Sequence, residues 1–201
     1  MKRVPRGSYD GRDMQEKSER QTQRGLAFLP KSQLLTSDEV TRALTRMAHE
    51  IVERNHEMAT VSLVGLQTGG EPFVRRIASL LSEISGEAPP VGLLDVSFYR
   101  DDLSLHPVPP SSLTLIDHDL TDRSVVLVDD VLFTGRTIRA ALNALTDWGR
   151  PRSVQLAVMV DRGHRELPIR PDFVGKNLPT SLDEDIKATL DGVWIGTRGP
   201  S

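Results

Sequence analysis

The chain has 201 residues, no cysteine and a formal net charge of -3 at pH 7. Its length predicts one domain with a substantial core, and the lack of cysteine excludes disulfides and thiolate catalysis. Since no apolar run reaches about 18 residues and no basic start precedes an apolar stretch, we expect no membrane span, no secretory signal and a cytoplasmic location.

Charge is distributed unevenly along the chain. Residues 1–30 carry seven Lys and Arg against four Asp and Glu, which leaves 18 against 24 for the rest. Because this first stretch has little apolar periodicity, we predict a mobile N-terminal tail over 1–30 and a single domain over 31–201. The tail either has no part in the core function or is a loosely attached basic arm for RNA. Any nucleic-acid site on the acidic remainder must be a local basic patch.

The first predicted helix follows a capping signal. Thr36 and Glu39 have the spacing of a capping box, and apolar residues recur at intervals near 3.6 as far as about Asn55. On the polar side of this helix Thr45 and His49 are one turn apart and therefore neighbours. Most such faces are simply solvated, so the pattern alone gives them no function.

Two further apolar segments precede the middle of the chain. Residues 61–66 predict a buried strand, followed by the turn Gln67–Glu71 and a helix that we expect Pro72 to open in its favoured first position. A glycine-bearing turn of this kind can hold a phosphate, although such turns are common in α/β proteins. Residues 91–99 form the next apolar segment. The polar stretch from 100 to about 121 is long enough to predict a lid or a disordered segment.

The most informative stretch is residues 125–137. An apolar run predicts a strand buried on both faces, which leads into Asp129 and Asp130 and then a Thr-Gly-Arg-Thr turn. Helical spacing after the turn places it at a helix N-terminus, where backbone N–H groups and the helix dipole favour an anion. The acids suit hydroxyls or a hydrated Mg²⁺ while the turn holds a phosphate, so a sugar phosphate fits. The alternative is that the acids merely end the strand and cap the helix.

The last third of the chain completes an alternating pattern. Residues 153–160 predict a fourth strand, 161–181 form a polar segment without a period, and 186–190 with 193–195 predict a terminal hairpin. The alternation over 61–160 predicts an α/β fold with a doubly wound, mainly parallel sheet. Ligands of such sheets bind at the carboxyl ends of the strands, where all the turns described above lie.

Particular strings carry a resemblance to known proteins. Residues 125–137 resemble the phosphoribosyl pyrophosphate (PRPP) binding signature of the type I phosphoribosyltransferases. Four further strings narrow this resemblance, namely residues 42–51, 99–103, 147–151 and 160–170. Together they resemble the bacterial pyrimidine operon regulators that are also uracil phosphoribosyltransferases. This resemblance extends over roughly residues 33 to 195, and the last two strings, residues 147–151 and 160–170, are not shared by other phosphoribosyltransferases.

The resemblance implies a type I phosphoribosyltransferase fold with a small hood over the base, formed by residues near 160 to 177, and a flexible loop beginning near Arg100. It implies conversion of uracil and PRPP to UMP and pyrophosphate, with Mg²⁺ bound mainly through PRPP and with two carboxylates as further candidate ligands. The implied catalytic residues are Asp129, Asp130 and Arg100. The implied substrate-binding residues are Thr68, Gly69, Asp129, Asp130, Val131, Leu132, Phe133, Thr134, Gly135, Arg136, Thr137, Asp161 and Arg162.

A regulatory role is also implied by the resemblance. The family binds a leader mRNA hairpin under the control of the uridine nucleotides UMP and UTP, as a homodimer or larger homo-oligomer. RNA contacts carried over residue by residue are Thr45, His49, Arg165, Arg170 and Lys176. We therefore expect salt-dependent recognition of a looped RNA shape.

The chain departs from the family pattern in two places within the nucleotide site. The family reads Thr-Arg-Gly where this chain has Thr68-Gly69-Gly70, and Phe133 stands where Tyr is usual. Losing a guanidinium removes charge and donors from the leaving pyrophosphate. An alternative function is therefore an RNA-binding attenuator that keeps the pocket as a nucleotide sensor with weak or lost turnover. A third alternative, transfer to another base, is opposed only by the resemblance.

Overall fold

The computed structural model describes residues 27–67, 69–96 and 114–199. Three sequence predictions therefore lie outside the described residues: most of the N-terminal tail, the role of Thr68 in substrate binding, and the loop that begins near Arg100. In chain order the elements are β1 (Ala27–Thr36), α1 (Ser37–Arg54), β2 (Val61–Leu66), α2 (Gly70–Ser85), β3 (Val91–Leu94), β4 (Ser124–Leu132), α3 (Arg136–Leu145), β5 (Ser153–Asp161), β6 (Phe173–Asn177), β7 (Asp185–Thr189) and β8 (Gly192–Gly199).

A five-stranded parallel sheet forms the centre of the fold. Its strand order is β3-β2-β4-β5-β6, with β4 in the middle. Every residue of β2 is buried, as expected of a parallel strand covered on both faces. The predicted α/β architecture is confirmed, and the carboxyl ends of β2, β4 and β5 meet at one edge.

Helices cover both faces of this sheet. One core cluster joins α1 and α2 to Val126 and Val128 of the central strand. The other joins α3 to Val125 and Leu127. Because successive side chains of a strand point to opposite faces, the apolar run of β4 supplies both cores. The helix predicted from the capping box is confirmed as α1, and its N-cap Thr36 accepts a hydrogen bond from the backbone N–H of Glu39.

A second, three-stranded sheet is formed by the two ends of the described chain. It has the order β1-β8-β7 and is antiparallel throughout. The terminal hairpin is confirmed as β7 and β8. Residues 27–30, which the sequence analysis assigned to the tail, lie in β1 and pair with β8. This strand depends on a partner some 160 residues away, which local periodicity does not reveal.

The segment 161–181 differs from the prediction. Residues 173–177 form β6, the edge strand of the parallel sheet, so they do not belong to a separate hood. The last two residues of this strand are exposed and its centre is a glycine, so it lacks an apolar run. The small additional sheet instead comes from the chain ends. The second helix begins at Gly70, two residues before Pro72. Pro72 fits in this first turn because the first N–H groups of a helix need no internal partner.

Candidate active site

Asp129 and Asp130 lie at the carboxyl end of the central strand. Asp129 is buried and accepts the backbone N–H of Asp130 at 3.0 Å. Asp130 accepts the N–H of Val131 at 2.8 Å. The carboxylate of Asp130 faces the turn before α2, because it occupies the space beside Gly69.

The turn after β2 presses directly against this strand end. An added Cβ at Gly69 would lie 2.3 Å from Cγ of Asp130, and one at Gly70 would lie 2.2 Å from the carbonyl oxygen of Val128. Gly69 has ordinary helical angles, φ -72° and ψ -36°. At Gly70 the backbone of Val128 leaves no room for a side chain, whereas at Gly69 the Asp130 carboxylate fills the space and would have to move. The predicted phosphate-binding turn and the predicted diol-binding acid are in contact.

The surroundings of Asp130 favour its protonated form. Burial raises the pKa of the Asp130 carboxyl, and the negative charge of Asp185 acts in the same direction, while the N–H of Val131 opposes both. Asp185 belongs to β7, so the small sheet faces the acid of the central strand. A half-buried carboxylate with a raised pKa is a feature of ligand sites.

A cavity of about 330 Å³ opens above Asp130 toward the small sheet. Its lining includes Asp185, Lys187 and Arg198, which the sequence analysis did not assign to any site. Asp185 bridges two arginines, at 3.3 Å from Arg162 and 2.5 Å from Arg198. Alternation along β7 places Asp185 and Lys187 on one face, but their position beside Asp130 depends on the long-range packing of the two sheets.

The predicted strand, turn and helix after the acids are confirmed. The helix α3 begins after Gly135, which occupies the N-cap with φ 91° and has no side chain to cap the helix. Only glycine adopts this left-handed conformation readily. Thr134 accepts the backbone N–H of Arg136 at 3.4 Å. The turn therefore presents a helix N-terminus of the kind that binds anions.

The segment after β5 closes over this turn. The backbone N–H of Glu166 donates to the Thr134 carbonyl at 3.0 Å, and the Glu166 carboxylate pairs with Arg136 at 2.7 Å. Ile169 packs at 3.4 Å from where a Cβ of Gly135 would be. Residues 161–170 are consequently one wall of the predicted 5′-phosphate site.

The predicted substrate residue Arg162 is buried and fully engaged. Its guanidinium lies 4.1 Å from the ring centroid of Phe133. Further contacts tie it to the segment before β7 through Thr180 Oγ1, the Ser181 and Glu184 carbonyls, and the Asp185 carboxylate. In the described structure its guanidinium packs over the ring of Phe133. Its contact with substrate stays a prediction.

The residues predicted to bind RNA lie in two places. Thr45 and His49 occupy the outer side of α1, and Lys176 is exposed on the neighbouring strand β6. Arg46 fastens these elements together by donating to the Val174 and Gly175 carbonyls at 2.7 and 2.9 Å. Arg165 and Arg170 instead line a separate cavity of about 350 Å³ beside β6.

Arg165 is held differently from the other predicted RNA residues. Its side chain is largely buried, and its guanidinium donates to the Phe133 carbonyl at 2.6 Å and to the Asp161 carboxylate at 2.5 Å. Arg170, in contrast, is exposed. The structure therefore does not present the predicted RNA residues as one uniform basic surface.

The described residues offer neither a preformed metal cluster nor an exposed nucleophile activated by histidine. Among them no three His, Cys, Asp or Glu side chains come together as a metal site, so a divalent cation here would depend on ligand oxygens beside Asp129 and Asp130. A hydrogen-bonded chain runs from Asp117 through His118 to Ser62, with distances of 3.0 and 2.6 Å. Since Ser62 is fully buried near the start of β2, this hydrogen-bonded series of side chains is not a nucleophile site.

None of the described helices combines the length and apolar character needed to cross a membrane.

Comparison with known proteins decides the family. Residues 30–188 match the family model for the phosphoribosyl transferase domain. The chain is 57% identical over 168 residues to the bifunctional protein PyrR of a Roseiflexus species, covering 83% of this chain and 92% of that relative. It is also 57% identical over 162 residues to the PyrR of Deinococcus radiodurans, covering 80% and 88%. The chain belongs to the PyrR family.

Solved structures agree with this fold. A hypoxanthine phosphoribosyltransferase from Staphylococcus aureus superposes with a TM-score of 0.64 at 19% identity, covering 85% of this chain and 92% of that one. A hypoxanthine-guanine phosphoribosyltransferase from Bacillus anthracis superposes with a TM-score of 0.61 at 15% identity, covering 75% and 86%. The predicted type I phosphoribosyltransferase fold is confirmed, and the edge carrying Asp129 to Thr137 is its candidate active site.

Proposed function

We propose that this PyrR-family chain transfers the phosphoribosyl group of PRPP to uracil and also regulates pyrimidine operon expression by binding a leader mRNA. One observation carries the enzymatic half. The acids Asp129 and Asp130, the anion-binding turn at Gly135 and the turn at Gly69 meet at one edge of the sheet. A diol, a 5′-phosphate and a pyrophosphate, the three polar parts of PRPP, match these three elements in chemistry.

The reaction requires little from the protein besides position and charge. The bond between C1 of the ribose and the pyrophosphate oxygen breaks as N1 of uracil bonds to C1, and the N1 proton passes to solvent. Asp129 and Asp130 hold the ribose hydroxyls while the turn 133–137 fixes the 5′-phosphate. Negative charge close to the sugar stabilises the cationic character that C1 acquires.

The protein residues of this site supply too few oxygen ligands to hold Mg²⁺ unless the substrate supplies the others. Two carboxylates, one of them with a raised pKa, form an incomplete set for a hard cation that prefers six oxygens. When bound, Mg²⁺ supplies neutralisation of the leaving pyrophosphate. Asp129 and Asp130 would complete a coordination shell that the PRPP oxygens begin.

The regulatory half rests on a different region. The RNA surface that we propose includes Thr45 and His49 on α1, Lys176 on the neighbouring strand β6, and Arg170 in the segment before β6, with Arg46 joining α1 to β6. This patch is local, as an acidic protein requires of an RNA site. We infer that uridine nucleotides in the PRPP site adjust its affinity and that two or more chains join their patches.

A pyrophosphate-release assay tests the enzymatic proposal. Uracil, PRPP and Mg²⁺ should yield UMP and pyrophosphate in equal amounts, and Asp129→Asn should abolish both products. Hypoxanthine and guanine in place of uracil test the other-base alternative. If the wild type binds UMP yet releases no pyrophosphate, the nucleotide-sensor alternative replaces the enzyme.

A further inference from the structure

Arg165 connects two regions that the proposed function uses separately. Its Nη1 donates to the carbonyls of Phe133 at 2.6 Å and Leu132 at 3.4 Å, so it contacts the first residues of the phosphate turn. The same nitrogen donates to the Gly163 carbonyl at 3.0 Å, and Nε donates to the Ile169 carbonyl at 3.0 Å. One guanidinium thus fastens the turn to the wall that covers it.

These contacts leave little of the side chain for another partner. A guanidinium has five N–H donors, and here every nitrogen has an acceptor, with Nη2 on the Asp161 carboxylate at 2.5 Å. Asp161 is itself fixed by the backbone N–H of Gly163 at 2.9 Å. Breaking several charge-assisted bonds to reach an RNA phosphate would be costly. Arg165 is thus suited to position other groups rather than to contact RNA directly.

The far side of the same group faces the surface. Arg165 lines a cavity together with Arg170 and Asn177, whose neighbour Lys176 is one of the predicted RNA residues. The wall segment has two further fasteners to the turn, the Arg136–Glu166 ion pair at 2.7 Å and the N–H of Glu166 to the Thr134 carbonyl at 3.0 Å. A shift of the turn would therefore disturb three contacts with the wall that carries Arg170.

We propose that Arg165 is a positioning residue that holds the 5′-phosphate turn in shape and transmits nucleotide occupancy of that turn to the basic surface around Arg170. This inference rests on the proposed function and deepens it, because it assigns the regulation to one side chain. Coupling between two sites requires an element whose state both of them bias. The turn and its wall, joined by Arg165, are that element.

The test uses the full chain with Arg165→Ala, Arg165→Lys and two comparison variants. Arg170→Ala removes an exposed arginine from the same cavity, and Arg150→Ala removes an exposed arginine that lies outside it. Two quantities are measured for each variant. These are the KM for PRPP in the pyrophosphate-release assay, and the Kd for a labelled hairpin RNA from the leader of the chain's own pyrimidine operon, with and without saturating UMP.

We expect Arg165→Ala to raise the PRPP KM about tenfold, the effect of losing one or two net hydrogen bonds. Its ratio of RNA Kd values with and without UMP should fall to near one. Arg165→Lys should behave similarly toward PRPP, since one ammonium cannot reproduce the planar fork. Arg170→Ala should weaken RNA binding by the same factor with and without UMP, and Arg150→Ala should change neither quantity.

Several outcomes would overturn the proposal. An unchanged PRPP KM in Arg165→Ala, or a raised KM with an intact UMP ratio, contradicts the link while the proposed function stands. A wild type whose RNA affinity ignores UMP contradicts the proposed regulation and the link together. Should Arg165→Ala fail to fold by circular dichroism, Arg165→Lys is subject to the same criteria.

Discussion

Replacing Gly69 by alanine perturbs the site through a single contact. The new Cβ would lie 2.3 Å from both Cγ and Oδ2 of Asp130 and 2.6 Å from Oδ1. These separations are roughly 1 Å shorter than an ordinary contact between such atoms. Since the backbone angles at Gly69 suit any residue, the carboxylate of Asp130 must move.

The magnitude follows from what Asp130 loses on moving. Its hydrogen bond from the Val131 N–H, 2.8 Å long, is broken or weakened, at a cost of about 1 kcal/mol. Crowding of the strand end adds to this, so we expect Gly69→Ala to destabilise the fold by about 1–3 kcal/mol. Displacing a diol-binding carboxylate should also raise the PRPP KM at least tenfold. Gly69→Arg should restore a guanidinium near the pyrophosphate but meet the same clash.

A double-mutant cycle isolates this contact. Urea unfolding and PRPP KM are measured for Gly69→Ala, Asp130→Ala and the double variant. In the Asp130→Ala background the obstructing carboxylate is gone, so Gly69→Ala should cost little further stability. The coupling between the two changes should then be about 1–2 kcal/mol. Additive effects on stability would refute the reasoning, because they would show that a Cβ at residue 69 does not press on Asp130.

Three further predictions concern single positions. Asp130→Asn should raise the free energy of unfolding at neutral pH by about 1 kcal/mol and the Tm by roughly 2–4 °C. The reason is that a carboxyl with a raised pKa destabilises the folded state once the pH exceeds that pKa. Differential scanning calorimetry should show this gain disappearing as the pH falls through that pKa and below 3.8, while Asp119→Asn, at a carboxyl of lowered pKa, should destabilise at neutral pH. Gly135→Ala and Gly86→Ala both place alanine at a positive φ, 91° and 76°, and each should cost about 1–2 kcal/mol in urea unfolding. Only Gly135→Ala should raise the PRPP KM, and equal KM values would contradict the phosphate role of the turn. Lys176→Ala should reduce the salt slope of leader-RNA binding by about one, measured by filter binding between low and moderate salt, and an unchanged slope would remove Lys176 from the RNA surface.

The central strand, its two acids and the turn to α3 could be predicted from sequence because their signals are local. A buried apolar run, a carboxylate pair and a glycine followed by helical spacing all lie within residues 125–137. The small sheet could not be predicted in the same way. The hairpin of β7 and β8 has a local signal, but within the described residues β1 pairs only with β8, at the other end of the fold, so β1 shows no more than a fragment of a pattern.

Arg165 shows a different limit of sequence reasoning. The resemblance predicts an RNA contact for Arg165, and the structure adds bonds from its nitrogens to the carbonyls of Phe133, Gly163 and Ile169. Backbone acceptors are present at every position and carry no sequence signal. The close approach of Gly69 to Asp130 could not be predicted either. The sequence shows that residue 69 has no side chain, but it does not show which group fills the space.

Pyrophosphate release from PRPP, with uracil and Mg²⁺, tests the central claim most directly. The account predicts that the wild-type chain releases one pyrophosphate for each UMP formed and that Asp129→Asn releases none. A wild type that binds UMP but releases no pyrophosphate, and that gains turnover on Gly69→Arg, would contradict the enzymatic claim and leave a regulator with an eroded active site.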